Sequence, residues 1–338
     1  MAEPKKYRAA VIGLGQIGSR YAEDAKRRGI ATHAAAFAAH PRCTLVAGVD
    51  TIAAQRRAFH TRWPDARVYS NAAQMLQTES PDIVSIASST DTHTEILRTL
   101  LRVTPTPRAI FCEKPLAHSL GALKTLLPKL QRTPFPILLN FSRRWDRVHQ
   151  ALAHDIAQKK HGALLHIDTY YTGTLANMAC HLIDGLRSLV GDIAWVQSVP
   201  PWPARDTDQI SALLGFAKPH HPCVAQLHHL ATSDYYLFEF DFYFEHARVR
   251  LADNGFAPQL WRAAPSPHFK NLRALQPEKS PYGTGYDRVL EHAVDDLVRC
   301  IATKKSPRCS VHDGLRALQI EAALIKSAKL RGRKISAN

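Results

Sequence analysis

Residues 7–18 read YRAAVIGLGQIG, and the ten that follow, Ser19 to Arg28, read SRYAEDAKRR. A short β-favouring run from Tyr7 to Ile12 ends in Gly13-Leu14-Gly15-Gln16-Ile17-Gly18, and helix-favouring residues continue from Ser19. In the order strand, turn, helix, the pattern G-x-G-x-x-G has a physical purpose. Gly13 permits a tight turn, Gly15 lets backbone approach a pyrophosphate, Gly18 allows close packing, and the helix N-terminus attracts phosphate charge. Residues Gly13, Leu14, Gly15, Gln16, Ile17 and Gly18 are therefore expected to cradle a dinucleotide.

Working outward, Thr44 to Val49 form a second β-branched run ending in Asp50. A dinucleotide-binding fold places an acid there to accept hydrogen bonds from the adenosine ribose. The interval from the glycines exceeds the usual value of about 20 residues, and residues 30–41 (IATHAAAFAAHP) read as an inserted helical turn or two. An acid at this position favours NAD, since it repels a 2′-phosphate; Arg56 and Arg57 keep NADP open, and a turn or N-cap acid is the competing reading. The rhythm continues with a strand at Asp82 to Ala87, a helix at Thr92 to Arg102 and a strand at Ala109 to Cys112. Alternating strands and helices predict a doubly wound parallel sheet, an α/β fold whose ligands bind beyond the carboxyl ends of the strands. Ser88, Ser89 and Thr90, and Glu113 with Lys114, should thus face the cofactor.

The chain has 338 residues, 45% hydrophobic and 22% charged, a globular composition long enough for two domains. No stretch approaches the roughly 18 apolar residues of a membrane span, and MAEPKKYRAAVIG lacks the apolar core of a signal peptide, so a cytoplasmic protein is expected. The formal net charge of +15 invites a nucleic-acid reading, yet the basic residues are dispersed rather than striped among exposed aromatics; small anionic ligands or a solvated surface account for it. Six cysteines without a C-x-x-C pair read as buried thiols. His220-His221 and His228-His229 are adjacent pairs whose members would point to opposite faces of a strand, so no metal site is expected.

Taken together, Gly13 to Gly18, Ser89-Thr90-Asp91-Thr92-His93 and Cys112-Glu113-Lys114-Pro115-Leu116-Ala117 resemble the nicotinamide-dependent sugar oxidoreductases of the glucose-fructose oxidoreductase, inositol dehydrogenase and rhizopine catabolism (Gfo/Idh/MocA) family. Further marks are Asn140 to Trp145, the helix around His181 to Asp184, and Ser310 to Leu318. The resemblance implies a Rossmann domain of residues 1–118 and a substrate-binding α/β domain of residues 119–338. The second domain's open, mainly antiparallel sheet would serve as an oligomer interface, in a homodimer or homotetramer, and its C-terminal helices can pack back on the first domain. It also implies a cis peptide before Pro115 and a cofactor contact for His93. In residues 236–244, alternation gives one wholly aromatic face (Tyr236, Phe238, Phe240, Phe242, Phe244), explained by core packing or an oligomer interface.

Oxidising a secondary alcohol requires a hydride to leave while a nearby group takes the hydroxyl proton. Lys114, at the end of a sheet strand, is placed to polarise the reacting oxygen. His181 lies in residues 174–190 (TLANMACHLIDGLRSLV), where apolar residues recur at helical spacing, and Asn177 four residues earlier shares its face. The resemblance gives Lys114 and His181 the proton-handling roles; the family's usual aspartate is Asn177 here, which cannot act as a base. For substrate, Arg143, Arg144 and Tyr171 suit a sugar or sugar nucleotide, unless the arginines bridge structural elements. The leading expectation is a sugar or sugar-nucleotide dehydrogenase or reductase, in one direction supplying keto sugars for surface polysaccharide; the competing one is a regulator that binds NAD(P) without turnover.

Overall fold

A computed structural model describes residues 6–200, 209–217 and 223–337. They form two compact units, one of residues 1–145 and 287–315, the other of residues 146–286 and 316–338. His220 and His221 lie outside the described residues.

The first unit holds a six-stranded parallel sheet: β1 (Tyr7–Ile12), β2 (Cys43–Val49), β3 (Arg67–Tyr69), β4 (Ile83–Ile86), β5 (Ala109–Glu113) and β6 (Ile137–Asn140), in the order β3-β2-β1-β4-β5-β6. Ala9, Ala10, Val11, Ile83, Val84 and Ile110 are fully buried, as expected for central parallel strands covered on both faces. Helices α1 (His33–Ala39), α2 (Ala53–Arg62), α3 (Ala72–Glu79), α4 (Thr90–Leu100), α5 (Leu120–Leu123) and α6 (Leu127–Gln131) follow in the same unit. The strand order reverses between β1 and β4, where open α/β sheets bind ligands.

Two local readings change. The helix expected from Ser19 is only a 3₁₀ turn at Arg20–Glu23, and α1 begins at His33, capped by the Thr32 hydroxyl accepting from the Ala35 amide (3.2 Å). The carbonyls of Ile17 and Gly18 accept from the amides of His33 (3.0 Å) and Ala34 (3.1 Å). In an uninterrupted helix they would bond residues four positions on; here the partners lie twelve positions beyond that. The helix after the glycine loop is thus one helix broken by a twelve-residue insertion, and removing it restores the usual interval of about 20 residues to Asp50. The insertion precedes α1 rather than occupying residues 30–41. In addition, β6 pairs with β5 in the parallel sheet, so residues 119–140 add to the first sheet and the expected boundary at residue 118 falls inside the first unit.

The second unit is a nine-stranded sheet with α7 (Arg147–Ala157) and α8 (Cys180–Leu189). Its strands are β7 (Leu164–Tyr171), β8 (Ile193–Val199), β9 (Ser211–Phe216), β10 (Val224–His229), β11 (Phe238–Phe244), β12 (Ala247–Ala252), β13 (Ala257–Pro265), β14 (Arg273–Glu278) and β15 (Ile335–Ser336), ordered β14-β13-β12-β11-β7-β10-β9-β8-β15. Only β7 and β10 pair in parallel; every other pair is antiparallel. Phe238, Phe240, Phe242 and Phe244 point into a core shared with Leu152, Leu182 and Leu186, so core packing accounts for the aromatic face. Tyr236, expected on that face, precedes the strand and is 52% exposed. On the opposite face Asp241 and Glu239 pair with Arg248 and Arg250. Two long helices close the chain: α9 (Val289–Thr303) belongs to the first unit, and α10 (Val311–Lys329) starts in the first and continues in the second.

Candidate active site

The glycine loop is seated on the first sheet by two backbone bonds, Gly13 N–H to the Val49 carbonyl and Ala87 N–H to the Ile12 carbonyl, each 2.8 Å. Gly13 has φ +93°, and a Cβ there would lie 2.4 Å from the Ser88 amide; at Gly18 it would lie 1.9 Å from the Gly13 carbonyl. At Gly15 a Cβ would meet nothing within 4 Å. Gly13 and Gly18 are therefore required by the fold itself, while Gly15 faces open space through which a diphosphate can reach the backbone. Leu14 turns its side chain into the core, and its amide donates to Asp50 Oδ2 (2.9 Å), while Asp50 Oδ1 accepts from the Ile52 amide (2.9 Å). Gln16 is exposed and Ile17 half-buried. Arg56 is committed to the carbonyls of Asp50 (2.7 Å) and Thr51 (2.9 Å). The open side of Gly15 and an acid at the end of β2 fit a dinucleotide.

Ser89 precedes α4, whose first residue is Thr90, and Ser88 Oγ lies 2.7 Å from Thr92 Oγ1. His93 is fully buried, with Nδ1 2.8 Å from the Pro115 carbonyl and Nε2 3.1 Å from the Ser88 carbonyl. It fastens the loops after β4 and β5 to each other, so its expected cofactor contact is replaced by a support role. Lys114 follows the last residue of β5, is half-buried, and precedes a cis peptide to Pro115. Glu113 is buried and bonded to His33.

The expected anion contacts divide differently. Arg144 donates to the Arg308 carbonyl (2.8 Å), just before α10, and to Asp313 (2.9 Å) in the first turn of α10. Arg143 is buried in the same 3₁₀ turn.

In the second unit the expected helix over residues 174–190 opens with a π-helical turn, Leu175–Ala179, before α8. The wider turn means that Asn177 and His181 do not stand at the regular α-helical i,i+4 offset. Asn177 is exposed, and His181 is half-buried with its ring edge-on to Phe238 at 6.3 Å. Tyr171 is fully buried, and its hydroxyl donates to the Ile210 carbonyl (2.9 Å) and accepts from the Ile210 amide (3.1 Å). It is a structural tyrosine, correcting its expected substrate role: at the end of β7 it belongs to the face turned into the core. Its cross-strand neighbour is His229, weighed in the sequence only as half of an adjacent pair unsuited to a metal; the ring packs edge-on against Tyr171 at 5.0 Å, and burial pushes its pKa down. His228 points to the other face and bonds Asp168 (2.9 Å). Among the described residues, no three His, Cys, Asp or Glu side chains converge as a metal site, and no helix is long and apolar enough to cross a membrane.

An open parallel sheet in this strand order, with a glycine cradle at its switch point, defines an NAD-binding Rossmann domain. Residues 7–140 match the model of the Gfo/Idh/MocA oxidoreductase family, described as an NAD-binding Rossmann fold. The chain is 26% identical over 140 residues to myo-inositol 2-dehydrogenase of Thermotoga maritima, a match covering 41% of this chain and 37% of that protein. It is 24% identical over 148 residues to D-apiose dehydrogenase of Paraburkholderia graminis, covering 44% and 36%. These matches span well under half of the relatives' length. Among solved structures, a levoglucosan dehydrogenase in complex with NADH aligns over 99% of this chain and 100% of its own, with a TM-score of 0.79 at 18% identity. Myo-inositol 2-dehydrogenase from Lactobacillus plantarum aligns over 98% and 99%, with a TM-score of 0.74 at 20% identity. Both share the fold of the whole chain.

Proposed function

We propose that the protein is a nicotinamide-dependent oxidoreductase transferring a hydride between NAD and a secondary hydroxyl or keto group of a sugar. The observation that carries this reading is the Gly13–Gly18 cradle with Asp50 beside it and Lys114 at the end of β5. Gly15, Asp50, Ser88, Ser89 and Thr90 would hold the cofactor, whose nicotinamide ring supplies the hydride acceptor or donor. The Asp50 side chain would oppose a 2′-phosphate on the adenosine ribose, and Arg56 is already engaged with backbone carbonyls, which supports NAD over NADP. Lys114 would donate a hydrogen bond to the reacting oxygen, and His181 would take or return its proton. Asn177 can orient a hydroxyl but not exchange a proton with it. A sugar nucleotide, with turnover feeding surface polysaccharide, is the finer version of this proposal, with a cytoplasmic homodimer or homotetramer as its setting.

The test follows cofactor reduction across a panel of sugars, polyols and sugar nucleotides. Lys114→Met should lower kcat by about 10²-fold or more while leaving the NAD dissociation constant within about threefold. Equal turnover by both proteins would refute the assignment of Lys114. The specific observation favouring a non-catalytic NAD sensor is Asn177 in place of an acid; NAD binding by the wild type with no turnover on any panel member would decide for it.

A further inference from the structure

We propose that His33 is a positioning residue for the Glu113–Lys114 element, donating from Nε2 to the buried Glu113 carboxylate and so fixing the end of β5 that carries Lys114. The inference rests on the proposed role of Lys114. His33 is fully buried at the first position of α1, with Nε2 2.8 Å from Glu113 Oε1 and Nδ1 2.7 Å from Ser85 Oγ. Asn140 Nδ2 donates to the same Glu113 oxygen. One chain of polar contacts thus crosses α1, β4, β5 and β6, and the His33 ring packs at 4.3 Å on Phe111 of β5. A carboxylate accepts only, so Nε2 carries the proton and Nδ1 accepts from the Ser85 hydroxyl. The order serine, histidine, acid is not a nucleophilic triad, because Ser85 is wholly enclosed.

The ionisation of Glu113 agrees with this geometry. Burial works to raise its pKa, yet the hydrogen bonds from His33 and the Asn140 amide, with the charge of Lys114, hold it below the ordinary glutamate value. The other titratable group beside it is Cys112, whose thiol burial pushes upward. His33 therefore keeps a negative charge next to Lys114 where burial alone would neutralise it. The twelve-residue insertion preserves this contact, because the helix resumes at His33 itself.

The experiment compares wild type, His33→Ala, His33→Phe, His33→Gln and Glu113→Gln. Acid titration of cofactor-free protein is followed by infrared difference spectroscopy, the Glu113 carboxyl band being the one missing in Glu113→Gln. In His33→Ala this band should appear at a pH higher by about one unit or more. The acid limb of kcat on a sugar that the wild type oxidises should move with it, kcat falling about tenfold while KM changes less than about threefold. His33→Gln, which retains a donor near the Nε2 position, should restore both. Should His33→Ala not fold, His33→Phe keeps the ring and the packing on Phe111 without the donor, and the same shift is expected. A band titrating as in wild type, with only a lower melting temperature, would overturn the proposal and leave His33 a packing residue. Failure of the broader reading looks different: no wild-type turnover, or full turnover by Lys114→Met, with the infrared shift unaffected.

Discussion

The Tyr171 hydroxyl serves both the amide and the carbonyl of Ile210, and none of its ring is exposed. Tyr171→Phe leaves those two backbone groups buried without that partner, which should cost about 1–3 kcal/mol of stability, read by chemical denaturation. KM for the sugar should not move, since a residue enclosed this way meets no substrate; a large rise in KM with unchanged stability would contradict the assignment. The glycines show the same division of labour. Gly13 and Gly18 are held by close backbone approaches, whereas Gly15 leaves room for a ligand. That distinction was legible in the sequence, because G-x-G-x-x-G after a strand assigns each glycine a separate duty. The commitment of Tyr171 and Arg144 was not: a side chain's chemistry is read from its type, but its partners come from residues distant in sequence, Ile210 for one and Asp313 for the other.

The broken helix between β1 and β2 is the element that most altered the reading. Its two pieces share one hydrogen-bond ladder, with Ile17 and Gly18 bonding across the gap to His33 and Ala34. Excising residues 21–32 would place His33 four positions after Ile17, the spacing an α-helix needs. The shortened protein should fold, and its NAD dissociation constant by titration should stay within about threefold, as surface insertions are weakly coupled to the fold; loss of NAD binding would show that the insertion itself holds the cofactor. The strands of the first sheet were legible as short β-favouring runs, and β11 from the alternation of residues 236–244. The break was hidden because composition reports helix preference without saying which carbonyl an amide reaches. The π-helical turn before α8 was hidden likewise, since a one-residue widening leaves the apolar spacing nearly unchanged.

Across the whole molecule, several buried groups lose their hold in acid together. Burial lowers the pKa values of His40, His161 and His229 below 6.5, so the folded protein binds these protons less readily than the unfolded chain. Their contribution is present above pH 6.5 and declines as the pH falls below it. Among the described residues His161 Nδ1 has no partner to receive a second proton. Glu113, Asp155 and Asp192 lie below their ordinary values because, although burial is the largest single influence and opposes ionisation, the hydrogen bonds and charges of their partners, led by the bonds from His33, Lys160 and Arg187 respectively, together outweigh it. Their contribution holds above the ordinary carboxylate range and is lost below it. Melting temperature should therefore be level between about pH 7 and 8, decline below about 6.5 and drop more steeply below about 4; a rise on acidification from 7 to 5 would contradict these directions. The first unit is also assembled from two stretches of chain. Leu139 of β6 donates to the Cys309 carbonyl (3.1 Å), Leu138 bridges Ser310, and Trp145 Nε1 reaches Asp296 (3.3 Å). A fragment stopped at Trp145 would bare that flank of β6, an unsatisfied strand border open to pairing with other chains. The cofactor domain is therefore portable only as a spliced whole, with residues 287–315 rejoined to residues 1–145.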